Sequence, residues 1–273
     1  LSVEDFIPER LEKSVEGIKY KLLGDLRRRD EIRLILPPNR LSSPVDSFFT
    51  GSEFTRYSDQ HNPVDMAAVG SLVTSLGDGG IGSPHAVTDE IRTVHPSHYG
   101  LIDPMHTPEG DKVGVTSHLT ISAKKKGRTL YVPVYNAKTG KREEKSVQEL
   151  DQATLAFPDQ YDNLPDAPGR SVGEAPHTTK KMVEARSRNE LKEVKPSDVD
   201  WVFVSADSFF SSTSACVPFL PSNDANRVMM GDKHVEQSVN LKDPDAPLVQ
   251  HRIRGKGYEE QFGERLVPRA LDP

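Results

Sequence analysis

The sequence has a single cysteine, Cys216, in 273 residues. Without a second thiol there is no internal disulfide, and every structural zinc site built on two or more cysteines is excluded. A reducing compartment is the natural setting. Long apolar runs are also missing. Nothing approaches the roughly 18 consecutive apolar residues of a membrane span, and no charged start leads into an apolar stretch as a signal peptide would. A soluble chain with no membrane partner is expected. Excess positive charge is lacking too: 35 Lys and Arg stand against 41 Asp and Glu, a formal net charge of −6. That balance argues against a free-standing protein held to nucleic acid by charge alone, because such binding scales with the phosphates neutralised. Any contact with a polyanion must be local or shared with other chains. No Walker-type phosphate loop and no Gly-x-Gly-x-x-Gly follows a strand, and no internal repeat is found. The chain opens on Leu1 rather than Met, as a processed product, a fragment or the ordered part of something longer would.

What is present is a modest core and many turns. Hydrophobic residues make up 35%, mean hydropathy is −0.57, and there are 21 prolines and 19 glycines. This composition predicts a mixed, irregular, loop-rich α+β fold, one segment of a larger assembly. Ile7, Leu11, Val15, Ile18, Leu22 and Leu26 recur at helical spacing, with Pro8 suited to the first turn. Lys19, Lys21, Arg27, Arg28 and Arg29 read as a solvated helix end. From residue 42 to 100 turn formers dominate, and Gly77, Asp78, Gly79 and Gly80, followed by Gly82-Ser83-Pro84, predict a flexible exposed loop. Period-two alternation at Leu119 and Ile121, and at Leu130, Val132 and Val134, predicts two strands. They bracket a basic hairpin holding Lys124, Lys125, Lys126 and Arg128, and a turn over 136–140 follows. Residues 158–197 are polar and weakly periodic, and predict a long surface excursion with at most one short helix. Residues 201–204 read as a buried strand, and Asp224 can cap a helix running to about Gln237.

On that last helix Arg227 falls in the first turn, where the macrodipole disfavours a cation while open amides favour an anion. A phosphate brought there would meet both the guanidinium fork and the amides. The bland alternative pairs Arg227 with Asp224 or another carboxylate. Asn226, Lys233 and Gln237 share one stripe of the helix and could follow a phosphate backbone. Gly231, unfavourable in a helix by about 1 kcal/mol, points to close approach of another backbone. His95, His98 and His106 with Asp103 nearby could be taken for metal ligands, but no helical or strand spacing puts them on one face, and a structural loop is the better reading. Cys216, in an apolar run, reads as a small core residue rather than a nucleophile.

Four blocks then stand in order. They are 54–63 (FTRYSDQHNP) with 75–80 (SLGDGG), 94–100 (VHPSHYG), 107–110 (TPEG), and 217–220 (VPFL) through 223–231 (NDANRVMMG). Together they resemble the β subunit of bacterial-type multisubunit DNA-directed RNA polymerase. The resemblance implies a helical lead-in over 1–50, a fork region over 51–122 with its fork loop at 77–88, a strand hairpin and polar excursion over 123–200, and the start of a hybrid-binding region over 201–273. It implies that Arg227, Asn226 and Asp224 face the phosphates of an incoming nucleoside triphosphate. Gln237, Lys233, Arg56, Asp59, Asn62 and Glu109 would face the RNA or the RNA–DNA hybrid, and Gly77, Asp78, Gly79 and Gly80 the fork. No catalytic or metal-binding residue is expected in this chain, because the family's magnesium-binding aspartate triad belongs to the partner β′ subunit. The implied partners are the rest of β, β′-like chains, the DNA template, the RNA transcript and nucleotides.

Departures from the bacterial pattern carry their own implications. Val69, Leu72 and Thr74 replace the histidine, arginine and serine of the bacterial rifampicin pocket, Arg56 replaces a glutamine, and Glu236 an arginine. The expected enzyme ignores rifampicin. This divergence, with a chain ending near Pro273, resembles the split β subunits of giant bacteriophages, which would place the protein in the cytoplasm of an infected bacterium or in the virion. A non-catalytic scaffold of the same assembly is the rival reading.

Overall fold

The computed structural model of the chain describes residues 3–27, 42–52, 54, 55, 57, 61–162, 164, 175–239, 242, 243 and 248, and the backbone of 252, 253, 256 and 257. Two units divide at residue 57, covering 1–57 and 58–273. In the first, α1 (Val3–Leu26) and α2 (Ser42–Gly51) are fastened by aromatic rings. Phe6 stacks on Phe48 and Phe54 with centroids 6.4 and 4.9 Å away, and the Arg10 guanidinium lies 5.4 Å over Phe48. Burial of Phe6 carries the helix start back to Val3, a turn earlier than its periodicity predicts, so Pro8 stands inside the helix instead of in its first turn. Arg28 and Arg29 lie outside the described residues. No helix among the described residues is long and apolar enough to cross a membrane.

The second unit is built on a seven-stranded mixed sheet. Its strands are β3 (Lys124–Lys126), β4 (Thr129–Asn136), β5 (Arg142–Ser146), β6 (Thr154–Ala156), β7 (Val183–Ser187), β8 (Glu190–Val194) and β9 (Trp201–Phe203), in the order β3-β4-β9-β6-β7-β8, with β5 also paired to β4. Pairing is antiparallel except between β6 and β9. Alternation gives the sheet two buried faces: Val134, Leu155 and Phe203 pack in one cluster, while their neighbours Tyr135, Ala156 and Val202 pack in another. Period two puts adjacent residues on opposite faces, so a sheet covered on both sides needs such runs.

Two expectations are corrected here. Within the expected excursion over 158–197, residues 183–194 belong to the main sheet instead, since β7 and β8 form a hairpin with Val183 and Ala185 in its core. Arg188 and Asn189 turn it with φ of 49° and 63°, as a two-residue hairpin loop requires. The strand expected at Leu119 and Ile121 is only an isolated bridge from Leu119 to Ile102, whereas the expected basic hairpin forms, with Lys124–Lys126 as a strand paired to Thr129–Tyr131. Glu144 on β5 accepts from Lys124 and Lys126, which hold its carboxyl down to about 2. The turn at 136–140 is as expected: Asn136 Oδ1 accepts from the Lys138 and Thr139 amides at 2.9 and 3.0 Å.

Ahead of the sheet, α3 (Pro63–Gly70) leads to β1 (Leu72–Thr74), which pairs with β2 (Thr116–His118). The glycine loop after β1 is tied down rather than loose. The Gly77 amide donates to Ile81 O and the Ile81 amide to Ser75 O, and a Cβ on Gly80 would lie 2.3 Å from the Ser75 carbonyl oxygen. Beyond it the four-residue α4 (Asp89–Arg92) ends on Arg92, whose guanidinium donates to the carbonyls of Pro84, Asp111 and Val113. Gly100 closes the next block with φ +80°, its missing side chain leaving room for the Phe203 ring 2.6 Å from where Cβ would be. The capped α5 (Val147–Gln152) packs Leu150 with Val132 and Val134 of β4, α6 (Ala225–Glu236) comes later in the chain, and a ribbon of β10 (Arg252–Ile253) and β11 (Lys256–Gly257) comes last.

Candidate functional site

The α6 helix begins at Asp224, whose backbone carbonyl accepts from the Arg227 and Val228 amides, both at 3.0 Å. The Asp224 side chain makes no capping hydrogen bond, contrary to expectation. Asp224, Asn226 and Arg227 are all exposed. Arg227 donates to Met230 Sδ at 3.6 Å, and among the described residues no carboxylate forms an ion pair with it. The turn ahead of the helix is held in an uncommon shape. Phe219 has a left-handed backbone, φ +56°, and the Asn223 amide donates to the carbonyls of Pro218 and Phe219 at 3.0 Å. A non-glycine residue there is strained by about 1–3 kcal/mol, and such strain gathers at functional turns. Gly231 allows close approach of the Val217 side chain, 3.3 Å from its would-be Cβ, and not of a backbone as expected.

Further along α6, Lys233 pairs with Glu109 at 3.0 Å, both partly exposed. Gln237 caps the helix with its amide on Lys233 O at 2.9 Å and keeps an exposed side chain. Asn62 is elsewhere than expected: 6% exposed, it serves a junction of two helices. Its Oδ1 accepts from Val64 N and caps α3, while its amide donates to Val235 O and Glu236 O, each at 2.7 Å, at the end of α6. Its polar atoms are engaged within the chain, which leaves it no free donor for a hybrid. Arg56 and Asp59 lie outside the described residues. The structure therefore brings Asn62, Glu109, Lys233 and Gln237 together along α6, with Arg227 at the helix's other end.

Beneath this surface lies a buried polar cluster that sequence reasoning largely missed. His106 and His118 stack with ring centroids 3.6 Å apart. His106 Nε2 is 2.8 Å from Glu236 Oε1, a contact in which the N–H does not point well at the oxygen, so it is an ion-pair contact more than a directed hydrogen bond. On its other side His106 Nδ1 meets Ser211 Oγ at 2.8 Å. Asp103 orders the loop, accepting from the amides of Met105, His106 and Ser211. Asp232 accepts from Ser214 Oγ at 3.1 Å, while its Oδ1 is buried without a partner.

The electrostatics follow from that inventory. Burial works against charge on His106, yet the Glu236, Asp232 and Asp103 carboxylates outweigh it and hold its pKa above the usual imidazole value. Burial and the neighbouring His106 push His118 down to about 4. Burial pushes Asp232 up to about 7 against the pull of His106, and Glu236 is held below the usual carboxylate range because contact with His106 overcomes its burial. Of the histidines and aspartate weighed together in the sequence, only His106 and Asp103 enter the cluster. His95 and His98 sit apart, 6.2 Å from one another, on the turn at Pro96–His98. His118 and Asp232 carried no sequence signal, since β pairing and a helix far along the chain bring them in.

Residues 56–124, which hold Asn62, the glycine loop, Glu109 and both stacked histidines, match the family model described as RNA polymerase Rpb2, domain 3. The chain resembles one stretch of a DNA-directed RNA polymerase β subunit. The subunit beta of Phaeodactylum tricornutum is 32% identical over 263 residues, covering 96% of this chain and 18% of that protein. For Anaplasma marginale the figures are 34% over 212 residues, 78% and 15%, and for Trichodesmium erythraeum 32% over 231 residues, 83% and 20%. The chain thus spans 15–20% of the length of these three β subunits. Coverage of 96% takes in α6 as well as residues 56–124, so both parts of the site lie within the likeness to polymerase β.

Proposed function

We propose that this chain is part of the β subunit of a multisubunit DNA-directed RNA polymerase, a nucleotidyltransferase, in which the start of α6 holds phosphates of the incoming nucleotide. Similarity to polymerase β subunits over nearly the whole chain, together with an exposed Arg227 that has no ion-pair partner among the described residues, carries the reading. Nucleotidyl transfer joins the RNA 3′ hydroxyl to the α-phosphate and releases pyrophosphate. Magnesium on a partner β′ chain supplies charge neutralisation at that phosphate. This chain supplies orientation and positive charge. The Arg227 fork and the first amides of α6 meet an anion at a helix end free of any side-chain cap, and Asn226 lies beside them. Lys233 and Gln237 continue along the helix toward the transcript, with Glu109 orienting Lys233. Template, transcript, nucleotides and further polymerase chains are the partners of this reading.

Arg227→Ala in the assembled polymerase should raise the apparent KM for nucleotides by about 10- to 100-fold, the worth of one or two charged hydrogen bonds. An unchanged KM would favour the scaffold reading. The polar positions lost at Val69 and Leu72, threonine for serine at Thr74 and the acidic Glu236 support a split β subunit of the giant-bacteriophage kind, working in the host cytoplasm. Mass spectrometry of chains co-purifying with it from infected cells tests that assignment. A single full-length cellular β containing this sequence would refute it.

A further inference from the structure

We propose that His106, His118 and Glu236, with the buried Asp232 carboxylate nearby, form a structural site for a divalent transition-metal ion of the zinc class, which fastens the end of α6 to β2. The inference concerns the buried cluster, not the Arg227 surface, and stands independently of the polymerase reading. One ligand atom from each of His106, His118 and Glu236 lies within 4.8 Å of the other two, the span a single ion bridges. Asp232 and Glu236 are four residues apart on α6, so both carboxylates project from one face of the helix.

Independent observations point to a cation. Asp232 is 1% exposed and its Oδ1 is buried without a hydrogen-bond partner. Glu236 Oε1 has only the His106 ion-pair contact and no directed donor. A buried acceptor left unsatisfied costs about 1–3 kcal/mol, more when charged, so the unpartnered Asp232 oxygen asks for a positive partner. The last turn of α6 adds the negative end of its dipole.

The histidines are also arranged to offer lone pairs. His118 Nδ1 lies 3.3 Å from the His106 carbonyl oxygen, which can only accept, so Nδ1 carries the proton and Nε2 is left as a ligand atom. His106 Nδ1 against Ser211 Oγ has the same consequence when it donates, since the Ser211 hydroxyl in turn donates to Ser214. Two imidazole nitrogens with a carboxylate oxygen suit a borderline ion, whereas magnesium and calcium want oxygen donors throughout. The imidazoles are stacked with only 14° between their planes, so one must rotate for both Nε2 atoms to address one ion. Binding therefore separates the stacked pair.

The test uses the full chain, alone and in its assembled complex, dialysed with Zn2+ and then against buffer. Elemental analysis should find about one zinc per chain. Co2+ in its place should give the visible absorption bands of a tetrahedral ion, and Zn2+ but not Mg2+ should raise the unfolding temperature by several degrees. His118→Asn and Glu236→Gln should abolish zinc retention, while His95→Asn, on the separate turn, should leave it intact. A wild-type chain that retains no zinc and shows no cobalt bands overturns the site, as does retention unchanged in both variants. Should the variants fail to fold, the wild-type cobalt spectrum decides.

Discussion

At Asn62 one small amide serves two helices: its oxygen caps the start of α3 and its nitrogen holds two carbonyls at the end of α6. Asn62→Ala should destabilise the fold by about 3 kcal/mol, combining a lost N-cap with two unpaired carbonyls, as read from denaturant melts. Asn62→Asp keeps the capping oxygen but turns a carboxylate toward those carbonyls and the negative helix end, so it should be no better than alanine. An Asp variant as stable as the parent would show that only the cap at α3 matters. Residues 42–100 read from the sequence as turns, so the helix start at Asn62-Pro63 was not legible there. Neither was its second duty, because the carbonyls it meets are 173 and 174 residues away. Long separation likewise hid Glu236 from His106, although the sequence already marked Glu236 as a departure from the bacterial pattern.

Among elements, the β7–β8 hairpin shows where pattern reading fails. Val183 and Ala185 alternate onto one buried face as they should, but the opposite face of the strand carries Arg186, which is 1% exposed. That guanidinium donates to the carbonyls of Pro96 and Leu150 at 3.2 and 3.1 Å, lies 3.9 Å from Asp151, and leaves Nε without a partner. Burial lowers its pKa against the pull of Asp151. A cation in a core position reads from sequence as a surface residue, which is why 158–197 reads as a surface excursion. Arg186→Ala should cost about 3–5 kcal/mol by leaving a cavity and two unpaired carbonyls. Arg186→Met, which keeps the volume, should lose markedly less in thermal or chemical melts. Equal losses would mean that the hydrogen bonds, and not the filled space, hold the hairpin. By contrast β4, β9 and α6 were legible, because their apolar spacing and turn residues agree with their burial.

For the whole molecule, the likeness to polymerase β subunits is broad while particular positions have drifted. Leu72 is 47% exposed, and the Thr74 hydroxyl is engaged with Thr116 at 3.1 Å and with the Leu76 amide. A surface so depleted of free polar partners should not hold rifampicin, and the assembled polymerase should transcribe undiminished in its presence. Strong inhibition at low drug concentration in a transcription assay would contradict that. The position of β9 has a further consequence. It lies between β4 and β6 in the sheet yet is the last of the seven strands in sequence. While the ribosome is still delivering residues before 201, the sheet exists only as two halves, each with a bare edge of unpaired amides and carbonyls. Arrival of Trp201–Phe203 seals both edges in one event, so the nascent chain is most exposed to aggregation just before that short segment emerges.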